Sequence, residues 1–159
     1  MKLRIICVGK LKEKFYRDAA DEFIKRISRF AEVETVELAD EKAPEKLSAA
    51  ELEGIKLAEG RRILAKLTEA DTVIALDIAG KQFSSTELAE KLKGWFLGGK
   101  SRLAFIIGGS NGLSKEVLDR AELRLSFSKM TFSHQIFRVM LLEQLYRAFK
   151  INAGEPYHK

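Results

Sequence analysis

In Leu103-Ala104-Phe105-Ile106-Ile107-Gly108-Gly109-Ser110-Asn111-Gly112-Leu113, five apolar residues without a charge give way to three glycines within five positions. An uninterrupted apolar run of this kind reads as a strand buried on both faces, as in a parallel sheet. The glycines fall at what would be its C-terminal end, the edge at which open α/β sheets bind ligands. They allow a tight turn and leave room for a ligand to touch main chain. Ser114, with Glu116 behind it, then marks a helix start. By itself the turn is equally compatible with a strand-to-helix connection that binds nothing, because a glycine-rich loop is a weak signal.

Working outward, Leu3 to Val8 is a strand. Gly9-Lys10 follows, and then Leu11, Phe15, Ala19, Phe23, Ile27 and Phe30 recur at the spacing of an amphipathic helix. Val33 to Leu38 is β-rich but only partly apolar, which predicts an edge strand. Pro44 lies near the start of a helix through Leu47, Ile55, Ala58, Ile63 and Leu67, with Gly54 and Gly60 as candidate breaks. Val73 to Ile78 is a third, buried strand, and Gly80-Lys81 a turn. Ser84 and Glu87 form a capping box before a helix carrying Leu88, Leu92 and Trp95 on one face. Beyond the glycines come a helix from Ser114 to about Ala121, a short strand at Leu123 to Phe127 and a polar loop to Ser133. A long helix from about His134 to Phe149 closes the series, with Phe137, Met140, Leu141, Gln144, Leu145 and Ala148 on one side. Strands and helices alternate five times, which predicts a single α/β domain over 1–159, a mainly parallel sheet flanked by helices.

A chain of 159 residues with 46% hydrophobic residues can build a real core, which excludes a disordered protein. No apolar run approaches the ~20 residues that span a membrane. The charges in Met1-Lys2-Leu3-Arg4-Ile5-Ile6 predict a strand and not a signal peptide. The single cysteine, Cys7, cannot form an internal disulfide, which suits a cytoplasmic protein, and it reads as a small buried apolar residue. A net charge of +5 is compatible with a polyanionic partner without requiring one. The chain lacks G-x-G-x-x-G, the P-loop pattern and G-x-S-x-G. Two histidines and one cysteine, far apart, offer no metal-ligand spacing. Two late loops remain, Gly108 to Gly112 and Phe127-Ser128-Lys129-Met130-Thr131-Phe132. The second combines hydroxyls, free main-chain groups, a thioether and two aromatic rings. That mixture suits an adenine ring, and it equally suits a surface loop pinned by its phenylalanines.

Four segments carry a resemblance: Phe105 to Ser114, Leu125 to His134, Glu143-Gln144-Leu145-Tyr146-Arg147-Ala148, and Pro156-Tyr157-His158. In this order and spacing, with Val8-Gly9-Lys10 and Leu76-Asp77 near the front, the chain resembles the bacterial large-subunit ribosomal RNA pseudouridine-N3 methyltransferases of the SPOUT superfamily. Where that family often has proline before the histidine of the second loop, this chain has Ser133, and Ser110-Asn111 is a variable spot. The resemblance implies a SPOUT-type sheet with a C-terminal trefoil knot, S-adenosylmethionine as cofactor and a homodimer whose sites are built from both chains. Carried over by position, Leu76, Gly108 and Phe127, Ser128, Lys129, Met130, Thr131 and Phe132 would line the cofactor pocket. A sulfonium methyl group is already electrophilic, so no metal is expected. The last helix is the candidate for part of the dimer interface, with burial inside one chain as the plain alternative.

The implied substrate is N3 of a pseudouridine in 23S ribosomal RNA, on the assembled ribosome in a cytoplasmic setting. Its proton must leave as the methyl group arrives, which a matched base or an anion-stabilising site would assist. Glu143, Arg147, Tyr157 and His158 are the candidates: histidine as a residue type that titrates near neutrality, arginine to hold negative charge, tyrosine to stack on a base. The rival for Glu143 and Arg147, four apart on a helix, is a simple ion pair, and for the tail a frayed end that adds little stability. Rival functions are a non-catalytic ribosome-binding or assembly factor and a tRNA methyltransferase of the same superfamily.

Overall fold

A computed structural model describes all residues, 1–159. The elements in order are β1 (Lys2–Val8), α1 (Lys14–Ile27), β2 (Glu32–Leu38), α2 (Ala49–Leu64), β3 (Thr72–Gln82), α3 (Ser85–Leu97), β4 (Arg102–Ile107), α4 (Lys115–Arg120), β5 (Leu123–Ser126) and α5 (His134–Asn152). The five strands form one sheet in the order β2-β1-β4-β3-β5, and every pairing is parallel. The run that begins at Leu103 is therefore a central strand, and Val33 to Leu38 is an edge strand.

The apolar runs are explained by two-sided burial. Leu3, Ile5 and Cys7 of β1 and Leu103, Phe105 and Ile107 of β4 face one core with Ile27, Leu92, Leu141 and Leu145. The alternate residues Ile6, Val8, Ala104 and Ile106 face a second core with Ile63 and Val117. Successive strand residues point to opposite faces, so each central strand must be apolar throughout. Helices α1, α3 and α5 cover the first face, α2 and α4 the second. Cys7 is buried in the first core, where desolvation pushes its thiol up to about 11.

Local signals place several boundaries. Ser84 and Glu87 make the reciprocal capping box ahead of α3, and Ser114 caps α4 by accepting from the Val117 N–H at 3.3 Å. Other expectations are corrected. Leu11 is buried ahead of α1, and Phe15 is 64% exposed, because the helix starts only at Lys14 and turns Phe15 outward. Ser48, not Pro44, starts α2, which runs unbroken through Gly54 and Gly60. β3 continues past Gly80 to Gln82. Its register against β5 jumps between Leu76 and Lys81, so Asp77 to Gly80 leave the ladder as a bulge. Gly80 lies so close to the Arg124 main chain that a Cβ would stand 2.6 Å from the Arg124 carbonyl.

Candidate functional site

All strands run the same way, so the loops after β1, β4 and β5 and the bulge of β3 share one edge of the sheet. After β3 the chain crosses to α3 on one face, and after β4 to α4 on the other, which opens a crevice where the two paths diverge. A cavity of about 760 Å³ occupies this crevice. That is within the range of sites for drug-sized ligands, roughly 300–1,000 Å³.

Leu76, Gly108, Phe127, Ser128, Met130, Thr131 and Phe132 line the cavity, while Lys129 is exposed and is not among its walls. The glycine turn is closed by the Gly112 N–H donating to the Gly109 carbonyl at 3.1 Å. Gly112 has φ of 82°, a conformation that glycine adopts without strain. A Cβ on Gly108 would lie 2.9 Å from Leu113 Cδ2, and one on Gly109 would crowd Val8 and Glu59. Larger residues at either position would thus move the turn itself.

The second loop is held only by short side-chain contacts. The Ser126 hydroxyl donates to the Ser128 carbonyl at 3.1 Å, and the Met130 N–H donates to Ser128 Oγ at 2.9 Å. No residue from Ser128 to Phe132 makes a backbone–backbone hydrogen bond. Main-chain donors and acceptors are therefore left beside the cavity for a ligand. Phe127 and Phe132 both pack on Phe137 of α5, with ring centroids 4.7 and 6.4 Å apart, which fixes the loop ends.

Sequence reasoning did not single out Lys56, Ile78, His134 or Phe137 for this cavity, yet all four line it. Ile78 is 54% exposed despite its size, because the β3 bulge carries it out of the sheet. Lys56 arrives from α2, whose sequence carries no signal of the site. His134 begins α5 directly after the second loop, so its adjacency to a quoted motif was the available clue.

Glu143, Arg147, Tyr157 and His158 come together in a cluster on α5. Arg147 Nη2 donates to Glu143 Oε1 at 2.5 Å, and the Tyr157 hydroxyl donates to the same oxygen at 3.1 Å. Gln144 Nε2 donates to the other oxygen at 2.9 Å. The Arg147 guanidinium lies 4.7 Å from the Tyr157 ring centroid, and Arg147 Nη1 is 3.4 Å from His158 Nδ1. Burial, reinforced by the neighbouring Glu143 carboxylate, raises the Tyr157 pKa, so the phenol keeps its proton. The helical ion pair considered above does form, but as one edge of this cluster.

The tail is not frayed. Tyr157 packs edge-on against Tyr146 at 4.9 Å, and Glu155 pairs with Arg29 at 2.6 Å and with Lys150. Within one chain the cluster does not reach the cavity. Glu143 faces a second, mainly apolar recess of about 550 Å³ that shares Leu125 to Ser128 and Phe132 with it, and Arg147, Tyr157 and His158 line neither. No group of three or more His, Cys, Asp or Glu side chains is arranged to hold a metal ion. No helix is long and apolar enough to cross a membrane.

Residues 1–158 match a family described as predicted SPOUT methyltransferases. The chain is 59% identical to a ribosomal RNA large subunit methyltransferase H of Clostridium novyi (strain NT) and 57% identical to one of Bifidobacterium animalis subsp. lactis (strain AD011), each over 100% of both chains. Among solved structures, a probable methylase family protein of Haemophilus influenzae Rd KW20 shares the fold, with a TM-score of 0.54 and 15% identity over 99% of this chain and 70% of that one. A parallel sheet with a glycine-turned crevice at its C-terminal edge, matched over nearly its whole length, places this chain in the SPOUT methyltransferase family.

Proposed function

We propose that residues 1–159 form one SPOUT domain that transfers a methyl group from S-adenosylmethionine to N3 of a pseudouridine in 23S ribosomal RNA. The observation that carries this reading is the full-length identity of 53–59% to ribosomal RNA large subunit methyltransferases, joined to a cavity whose walls suit the cofactor. Leu76, Ile78 and Phe127 offer apolar wall, the Gly108 turn offers close main-chain approach, and the free groups of Ser128 to Phe132 offer partners for adenine. When bound, S-adenosylmethionine supplies an electrophilic methyl group on a sulfonium.

The chain's own residues handle the substrate. N3 gains a bond to carbon and loses its proton. Arg147 holds the negative charge that develops on the ring, and Tyr157, protonated, stacks on the base or donates to it. Both oxygens of Glu143 are engaged by Tyr157, Arg147 and Gln144, so Glu143 orients the other two. His158, with a single 3.4 Å polar contact, is left to accept the proton. Because this cluster stands apart from the cavity of its own chain, we place it at the cavity of a second copy in a homodimer packed through α5 and the apolar recess beside Glu143. The trefoil knot implied by the resemblance belongs to the same proposal.

The test uses radiolabelled cofactor with intact ribosomes from a strain lacking the modification, free 23S rRNA and tRNA, followed by mapping of the labelled base. Label on N3 of a ribosomal pseudouridine is expected. Label on tRNA alone would favour a tRNA methyltransferase, and no transfer with tight ribosome binding a non-catalytic ribosome-binding factor.

A further inference from the structure

The motif Val8-Gly9-Lys10 closes β1 but takes no part in the cavity or in the α5 cluster. We propose that the strap it opens, Gly9 to Glu13, is a phosphate-binding edge that holds the RNA backbone beside the mouth of the cofactor cavity; this rests on reading the chain as an RNA methyltransferase.

The strap has no regular secondary structure, yet its main chain is tied down along its length. Gly9 turns at φ of 97°, and its N–H donates to the Leu38 carbonyl at 2.8 Å. Arg138 of α5, 4% exposed, donates from Nη2 to the Gly9 carbonyl at 3.1 Å. Arg17 Nη1 donates to the carbonyls of Leu11 and Lys12 at 3.1 and 2.5 Å. The Lys12 N–H donates to Gln135 Oε1 at 3.3 Å. Leu11 is buried between two exposed lysines, so Lys10 and Lys12 project to solvent from a fixed backbone.

Neither lysine has an acidic partner. Lys10 and Lys12 form no ion pair, whereas Lys14 pairs with Asp18 at 2.6 Å and Glu37, the acid nearest the strap's anchor, is taken by Arg138 at 2.8 Å. Glu13 is the sole acid between Gly9 and Arg17. The anchors lead directly to the cavity. Gln135 and Arg138 sit in the first turns of α5 beside His134, which lines the cavity, and a Cβ on Gly9 would stand 3.4 Å from the His134 imidazole. A strap that served only solubility would not need one carbonyl fixed by the buried Arg138 and two more by Arg17. Two uncompensated ammonium groups on a rigid backbone bind a regularly spaced polyanion with little ordering cost. An RNA backbone is such a polyanion, and its affinity is governed by counterion release.

The experiment compares the full-length protein with the double variant Lys10→Ala, Lys12→Ala and with Lys10→Arg, Lys12→Arg. Melting temperature, cofactor affinity by calorimetry, and affinity for ribosomes and for naked 23S rRNA across a KCl series are measured. The alanine variant should keep melting and cofactor affinity within twofold. It should bind both RNA forms 10- to 100-fold more weakly, with a slope of log K against log salt smaller by about 1.5, two phosphate contacts' worth. The arginine variant should restore both. Unchanged RNA affinity and slope in the alanine variant would overturn the proposal. So would weaker binding to ribosomes but not to naked rRNA, which would assign the strap to a protein partner. A wild-type chain that neither binds nor methylates ribosomal RNA would instead overturn the functional reading itself, whatever the lysines do.

Discussion

Glu59 is a carboxyl with little water to solvate it. It is 4% exposed, its Oε2 accepts the Glu41 N–H at 2.9 Å, and its Oε1 has no partner behind the Gly109 turn. Burial, with Asp40 and Glu41 nearby, raises its pKa against the opposing effect of the Glu41 N–H and Arg62. A raised carboxyl pKa contributes stability that is full below the unfolded value and is lost as the pH rises through the folded one. Glu59→Gln, neutral at every pH, should therefore melt above wild type at pH 8 and match it near pH 4. Equal melting at both values would mean that water reaches the carboxylate. Asp71 is the opposite case. Its side chain is fully buried, and desolvation alone would raise its pKa, but the Thr68 N–H, Arg4, Arg102 and the Thr68 hydroxyl lower it overall. Its contribution is present above the unfolded pKa and lost as the pH falls through the folded one. Asp71→Ala removes the buried partner of Arg4 and a partner of Arg102, leaving the nearly buried Arg4 with the Lys66 carbonyl and the more exposed Glu34 carboxylate 3.4 Å from its Nε, so urea unfolding should show a loss of about 3–5 kcal/mol. A loss under about 1 kcal/mol would mean that Arg4 finds water instead.

At the scale of elements, α5 does two jobs. Leu141, Leu145 and Ala148 fill the first core, while the half-buried Glu143 and Arg147 on other sides of the helix gather the tail. Gly154 turns the chain at φ of 66° just past the helix, and Tyr157 returns to Glu143 and Tyr146. Deleting Tyr157 to Lys159 removes the hydrogen bond from Tyr157 to Glu143, the aromatic contact with Tyr146 and the contacts of Arg147 with the Tyr157 ring and His158, which together cost about 1–2 kcal/mol at this partly exposed site. Melting should fall by roughly 3–6 °C with cooperativity retained. Single-turnover transfer to ribosomes should fall at least ~100-fold, as expected for loss of a positioned acid–base or orienting group. A truncated chain with wild-type turnover would remove the tail from the mechanism, and one without a melting transition would make it a structural element.

Across the whole molecule, the cavity and the α5 cluster lie on different parts of one chain, so the proposed site is complete only when two copies meet. Sedimentation at micromolar concentration should give a dimer. Complementation is the sharper measurement. Gly108→Val, whose branched side chain would be driven into Leu113, disables the cavity, and the 157–159 deletion disables the cluster. Mixed after brief dissociation, the two inactive proteins should regain transfer, because one site in each mixed dimer is intact. A mixture as inactive as its parents would place the whole site in one chain.

The sequence by itself determined the parallel α/β layout. Leu103 to Ile107 and Val73 to Leu76 are apolar at every position because both faces of the sheet are covered, and that demand is local and legible. Caps at Ser84 and Ser114 were legible for the same reason, since their partners lie three residues away. The four segments quoted for the site were recognisable by order and spacing; two of them adjoin the crevice and two supply the cluster. Other features depend on separation along the chain and were decided only by the tertiary structure. Lys56 and Gly108, 52 residues apart, line one cavity, Arg138 reaches Gly9 across 129, and Arg4 meets Asp71 across 67. The β3 bulge that lifts Ile78 to the cavity arises from the register against β5, which no local pattern encodes. The distance between the α5 cluster and the cavity is likewise a matter of how the last helix crosses the sheet. Side-chain periodicity fixes which face of an element is buried, but which elements meet at an edge is set by the packing of the whole chain.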